Sequence, residues 1–375
     1  VESAVKLDQT PVAVKLEAES SPAWLLSPTA DSLMIGGSSI LMFILAWTFV
    51  DRSTGTNQVS WTAFYLAMAV NNPHFMASYI LLYWDKRREM LSNPRFYWAG
   101  VIAPLLVIGF FAVCISQRLS AALGYAVNFM YFLVGWHYVK QIYGTIIVTS
   151  VRRGYFFSKG EALALKLNLF PVWFMSYFNG NHSIRELLHY GVGYKTLGFP
   201  AWFSTLNYVA LGASFLALGA MLFYKWLSDG KLPGITAIIS FASIYVWYLP
   251  SVYHAHFWYL IPFFHSLQYL LFVGALKKNE FQARSVTETD GSPVSQRLYF
   301  ARYFFGFVVA CVGLAFLTFD YLPHWLDYLV PYDEKVFGPE LFMFCFITFI
   351  NIHHYFIDNV IWRRDNVSLK KYLLS

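Results

Sequence analysis

Runs of about 18 or more residues without a charge, long enough to cross a bilayer as a helix, recur along most of this chain. Hydrocarbon offers no water to bond a bare N–H or C=O, so a spanning segment must satisfy its own backbone, which leaves helices and closed barrels. Length and continuity of the runs select helices, since a barrel strand alternates in polarity and is about half as long. The charged fraction agrees: 13% here, against about 25% in an ordinary soluble domain. The expected fold is all-α, a polytopic transmembrane bundle of about ten spans.

The apolar segments lie at about 32–50, 58–83, 97–116, 120–149, 162–179, 200–228, 233–249, 252–275, 299–320 and 338–362. Pro250 is read as the break between the seventh and eighth. Basic clusters follow even-numbered spans: DKRRE at 85–89, VRRG at 151–154, LKK at 276–278 and WRR at 362–364. Lysine and arginine accumulate on the cytoplasmic side, so both termini are expected there, in a multi-pass protein of the cell membrane. Three parts result: a polar cytoplasmic segment at 1–31, a helical domain at 32–362 with a polar cytoplasmic loop at about 280–297, and a basic tail at 363–375. Residues 1–31 have no basic stretch directly ahead of an apolar one, so no cleaved signal peptide is expected. The net charge of +6 is the cytoplasmic-loop excess, and no nucleic-acid partner is expected. Cys114, Cys311 and Cys345 all fall inside apolar runs and form no CxxC pair.

Against this apolar background the histidines stand out. His74 in NNPHF, His137 in GWHYVKQ, His265 in FHSLQY, and His353 and His354 in NIHHYFID occupy spans two, four, eight and ten. Counted back from the basic cluster ending each span, four of them lie roughly 8 to 14 residues in, which at 1.5 Å per residue is about 12 to 21 Å. Ionisable groups within spans are costly and face an interior site. A single histidine can be held by a neighbouring helix; five on four helices at a shared depth point to a common metal centre. Asp358 and Gln141 each follow a histidine by four residues, and Asn351 precedes His354 by three, spacings that share a helix face. Such groups orient a ligating imidazole, and Asp358 could also ligate directly. Tyr269, four residues after His265, would line the same cavity. The candidate set is therefore His74, His137, His265, His353 and His354 as ligands, Asp358 and Tyr269 as catalytic groups, and Gln141 and Asn351 as supports. Adjacent helical positions point about 100° apart, so which of His353 and His354 faces inward stays open. His182 and His189, in NGNHSIRELLH, are assigned to a short amphipathic segment at the membrane surface.

Several neutral imidazoles with few carboxylates suit non-haem iron, one ion or two, that keeps positions open for dioxygen. The substrate would come from the bilayer: a lipid, isoprenoid or carotenoid. No dinucleotide fingerprint, cysteine set or CxxCH is present, so an electron-consuming reaction would need a separate electron donor. Three alternatives stay open: haem b held by paired axial histidines, zinc, and a transporter or scaffold with a buried histidine relay.

FHSLQYL at 264–270, taken with His353, His354 and Asp358, resembles the histidine-bearing helices of the bacterial retinal-forming beta-carotene dioxygenases, the bacterioopsin-related-protein family. The resemblance implies a multi-helix membrane fold, one iron held by four histidines, and cleavage of the central double bond of beta-carotene. It carries over to His265, and to His353 or His354, as ligands.

Overall fold

A computed structural model describes residues 23–49, 55–253, 255–363 and 365–374. Each of the ten apolar segments is helical. In chain order these are α1 (28–49), α2 (55–85), α3 (Pro94–Ser116), α4 (Ser120–Val151), α5 (Lys159–Gly180), α6 (Ala201–Asp229), α7 (Ile235–Tyr253), α8 (Phe257–Glu288), α9 (Pro293–Leu329) and α10 (Leu341–Ile361). Among the described residues seven are long and apolar enough to cross a membrane: α1, α3, α6, α7, α8, α9 and α10. The chain is thus a multi-pass helical membrane protein. Leu206, Val209 and Leu216 on α6, and Phe305, Val309 and Val312 on α9, point outward. An apolar outer face of this extent suits lipid and not water.

Within the bundle α8 is central, packed against α1, α2 and α9, while α4 touches α5, α7 and α10. Close packing beside the histidines depends on Gly135, where a Cβ would lie 2.3 Å from Trp173 Cδ1. A side chain there would push α5 away from α4.

Three boundaries depart from the sequence reading. Pro250 does not divide two spans, because α7 runs through it to Tyr253 and α8 begins at Phe257. The expected loop at 280–297 is mostly helix: α8 reaches Glu288 and α9 begins at Pro293, leaving a four-residue turn. Lys277 accordingly lies inside α8, 1% exposed, bonded to Asp85 and Glu280. Polarity alone marked this stretch as loop, but ion pairs one turn apart, including Arg284 with Glu280, extend a helix readily. Residues 183–197 hold a hairpin where an amphipathic segment was expected. Strands β1 (Glu186–His189) and β2 (Val192–Lys195) pair antiparallel across a turn with positive φ at Tyr190 and Gly191, the backbone of a tight two-residue hairpin loop.

Polar contacts gather the basic clusters at one end of the bundle. Arg152, at the end of α4, donates to the carbonyls of Trp24 (3.0 Å) and Leu373 (2.6 Å). Lys86, below α2, donates to Ser368 Oγ, and Arg95 pairs with Asp365. The two described ends of the chain therefore meet on the same side, which is also the side of the clusters after α2, α4 and α10. The hairpin covers the other end, where Asn128 of α4 donates to the Lys195 carbonyl at 2.8 Å. Of the polar segment expected at 1–31, residues 1–22 lie outside the described residues.

Candidate metal centre

Four imidazoles from α2, α4, α8 and α10 meet in the interior. His74, His265 and His354 are each 1–2% exposed, and His137 is 8% exposed. His74 Nε2 lies 3.2 Å from His354 Nε2, and His137 Nε2 lies 3.2 Å from His265 Nε2. Asp358 Oδ2 approaches His354 Nε2 at 3.3 Å and His137 Nε2 at 3.6 Å. Two groupings emerge, His74 with His265 and His354, and His137 with His354 and Asp358, each with its ligand atoms within 4.8 Å of one another. His354 belongs to both.

Proton bookkeeping shows what these contacts are. His74 Nδ1 lies 2.5 Å from the Asn71 carbonyl oxygen, which can only accept, so Nδ1 carries the proton. Ser266 Oγ, which donates to Asn71 Oδ1, lies 3.0 Å from the same nitrogen. His354 Nδ1 lies 2.8 Å from Ser78 Oγ, which also reaches the Phe75 carbonyl at 2.7 Å. With the serine proton on that carbonyl, Ser78 accepts and His354 too carries its proton on Nδ1. In that arrangement both Nε2 atoms are bare lone pairs 3.2 Å apart, and neutral rings held this way repel. A cation bound to both nitrogens turns the contact into attraction.

The spacing passes the test for such an ion. Metal–nitrogen bonds of about 2.0–2.1 Å place neighbouring ligands about 3.0–3.4 Å apart, and both His–His contacts fall in that range. The space among Asn71, His74, Phe75, Val134, His137, Tyr138, His265, Asn351, His354 and Tyr355 takes about one water-sized body. That suits an ion or a water. His265 Nδ1 is buried without a hydrogen-bond partner, so nothing but Nε2 gives this ring a polar role.

Asp358 is held from behind: the Tyr269 hydroxyl donates to Oδ1 at 3.0 Å, leaving Oδ2 toward the imidazoles. Three other expectations are corrected. His353 is not brought into the group. Its Nε2 donates to the Ala99 carbonyl at 2.9 Å and its Nδ1 accepts from the Tyr79 hydroxyl at 2.7 Å, so both nitrogens are used. Gln141 contacts no imidazole nitrogen, but donates to the His265 carbonyl and to Gln268 Oε1. Asn351 lines the cavity, yet its amide donates to the Ile347 carbonyl one turn back. Ser78, Ser266 and the Asn71 carbonyl, which orient the rings, were not singled out from sequence as orienting groups. Asn71 one turn before His74, and the i,i+4 step from His74 to Ser78, were the local signals for them.

The protein thus holds a buried histidine–carboxylate cluster, suited to one or two non-haem iron ions, inside a multi-pass helical bundle. No family model matches the chain, and no curated protein or solved structure matches it. The resemblance to the bacterial beta-carotene dioxygenases is therefore withdrawn. It rested on a few residues of two helices, and one of those, His353, is turned to Tyr79 and Ala99.

Proposed function

We propose that this protein is a membrane-embedded, histidine-ligated non-haem iron oxygenase acting on a substrate drawn from the bilayer, of the lipid, isoprenoid or carotenoid class. The observation that carries the reading is the gathering of buried Nε2 atoms, with His74 Nε2 3.2 Å from His354 Nε2 and the His74 proton held on Nδ1 by the Asn71 carbonyl. Nε2 of His74, His137, His265 and His354 would hold the metal, with Asp358 Oδ2 beside it. Bound iron supplies open positions for dioxygen and a one-electron redox couple.

The chain's own groups do the rest. Tyr269 fixes Asp358 and can pass a proton to it through the bond to Oδ1. Phe75, Val134, Tyr138 and Tyr355 wall the small cavity and keep bulk water from the imidazoles. In this reading all ten helices cross, with the end that carries Arg152, Lys86 and Arg363 in the cytoplasm together with both termini. Residues 1–31, the helical domain at 32–362 and the tail at 363–375 remain the proposed division of the chain. A hydroxylation or desaturation would draw electrons from a separate donor, and a dioxygenase would not.

Metal analysis with an optical spectrum of the detergent-purified protein tests the proposal. Stoichiometric iron without a Soret band, and oxygen uptake when membrane lipid extract is added, is the expected result. Stoichiometric zinc would redirect the reading to hydrolysis or structure, a Soret band to haem, and absence of any metal to a histidine relay.

A further inference from the structure

A recess opens beside the centre because α10 stops early. It ends at Ile361, two residues past Asn359, whereas α4 runs on from Lys140 to Val151. The gap is an open cavity of about 540 Å³ lined by Lys140, Asn359, Trp362, Arg363, Asp365 and Lys370, within the size range of small-ligand sites. Its charge is unbalanced, three cations to one carboxylate, and that carboxylate is already shared by Arg363 (3.1 Å) and Arg95 (3.2 Å).

Lys140 is the unusual member. It lies on α4 one turn beyond His137, and among the described residues it makes no ion pair. Its ammonium donates to Asn359 Oδ1 at 2.5 Å and stands 5.9 Å from the centre of the Tyr355 ring. Asp358, whose charge reaches Lys140, turns its oxygens to Tyr269 and the imidazoles. A lysine that opens onto a cavity and has no ion-pair partner among the described residues is able to bind an anion. The same Tyr355 lines the small cavity at the imidazoles, so this ring faces both Lys140 and the centre. Three residues of helix from His137 to Lys140 amount to about 4.5 Å along the axis.

We infer that the recess binds the anionic head, a carboxylate or a phosphate, of the membrane amphiphile on which the centre acts. Lys140 and Arg363 engage the head, Trp362 walls it, and the apolar chain enters past Tyr355. This rests on the oxygenase reading and narrows its substrate to chains with a charged end, reacting within the first several carbons.

Binding to the full-length protein in phosphatidylcholine nanodiscs tests the inference, with oleate, methyl oleate, dioleoyl phosphatidate, dioleoylglycerol and inorganic phosphate as probes. Oleate or phosphatidate should bind at least about tenfold more tightly than its uncharged counterpart, and whichever acid does so names the head. Lys140→Gln and Arg363→Gln should each weaken that binding about tenfold while iron content stays unchanged, and Lys140→Arg should restore it. Thermal melting of each variant checks that it is folded, and if Lys140→Gln is not, Arg363→Gln alone decides. Equal binding of charged and uncharged chains, folded variants that bind as wild type, or inorganic phosphate binding as tightly as the amphiphiles would overturn the inference. Head binding needs no metal, so the measurement is repeated after chelation. Charge selectivity in a protein that never holds iron would sink the oxygenase reading alone, and stoichiometric iron without charge selectivity would sink this inference alone.

Discussion

Two buried polar clusters join α2 to α8, and they are built on opposite principles. Around Lys277 donors and acceptors balance. The ammonium meets Asp85 and Glu280, and Glu280 also takes Arg284. Two cations answer two carboxylates, and the cluster is complete as it stands. Around His354 there are four Nε2 atoms and one carboxylate, and the tautomer that hydrogen bonding fixes at His74 presents a lone pair. A cluster of donors matched to acceptors ties helices together. A cluster with acceptors in excess is completed by something positive that enters it.

The sharpest way to break this contrast is at His354, which belongs to both groupings. His354→Ala should reduce iron per protein from stoichiometric to background. Chelating wild type should lower its melting temperature, because a ligand bound only by the folded state stabilises it, and chelation should leave the melting of His354→Ala unmoved. Iron retained by this variant would mean that the lone pairs are not what holds it.

The second break is at Lys277, where the outcome is reversed. Lys277→Met leaves Asp85 without its cation while Glu280 keeps Arg284, and removing one partner of a buried ion pair costs up to about 3–5 kcal/mol. Reversible unfolding in mixed micelles should show that loss, with iron per folded molecule unchanged. Loss of iron at full stability would erase the distinction between the clusters.

Much of this was legible in the sequence, for identifiable reasons. Apolar runs that lack charges leave the backbone no alternative to helix in lipid, so ten segments read correctly as helices. The histidines could be matched because each lies a countable distance from a basic cluster, and helical rise converts the count to depth. Orientation was not legible. His353 and His354 differ only by a 100° step, and which one faces the other imidazoles depends on where α3 places the Ala99 carbonyl. Ser266 reaches His74 from a position 192 residues away, a contact that no local spacing announces. The hairpin left a faint trace, in the glycines of HYGVGY and their tolerance of positive φ, but its strands are too short to alternate clearly.

Ser78 sharpens the comparison without dismantling either cluster. Ser78→Ala removes the hydroxyl that bonds His354 Nδ1, freeing the ring to turn or to exchange its tautomer. Loss of such an orienting partner typically costs 10- to 100-fold in metal affinity. Iron affinity measured by competition with a chelator should fall within about that range, while the melting temperature of the metal-free protein stays near that of wild type. Ser78→Thr, which keeps the hydroxyl, should recover most of the affinity. An unchanged affinity in Ser78→Ala would remove the tautomer argument, even if His354 itself proves essential.

The smallest effect is expected at His353, and it separates position in the sequence from position in the site. Its Nε2 carries the proton, given to Ala99, whereas His74 carries its own on Nδ1. Opposite tautomers follow from opposite tasks, since a ring that bonds the protein at both nitrogens has no lone pair left for a cation. His353→Gln gives up part of the hydrogen bonding to Tyr79 and Ala99, worth about 1 kcal/mol for each bond lost. Iron content and oxygen uptake should be those of wild type, with a small drop in melting temperature. Iron loss in His353→Gln comparable to that in His354→Ala would mean that the two rings exchange places, and the ligand set would have to include both.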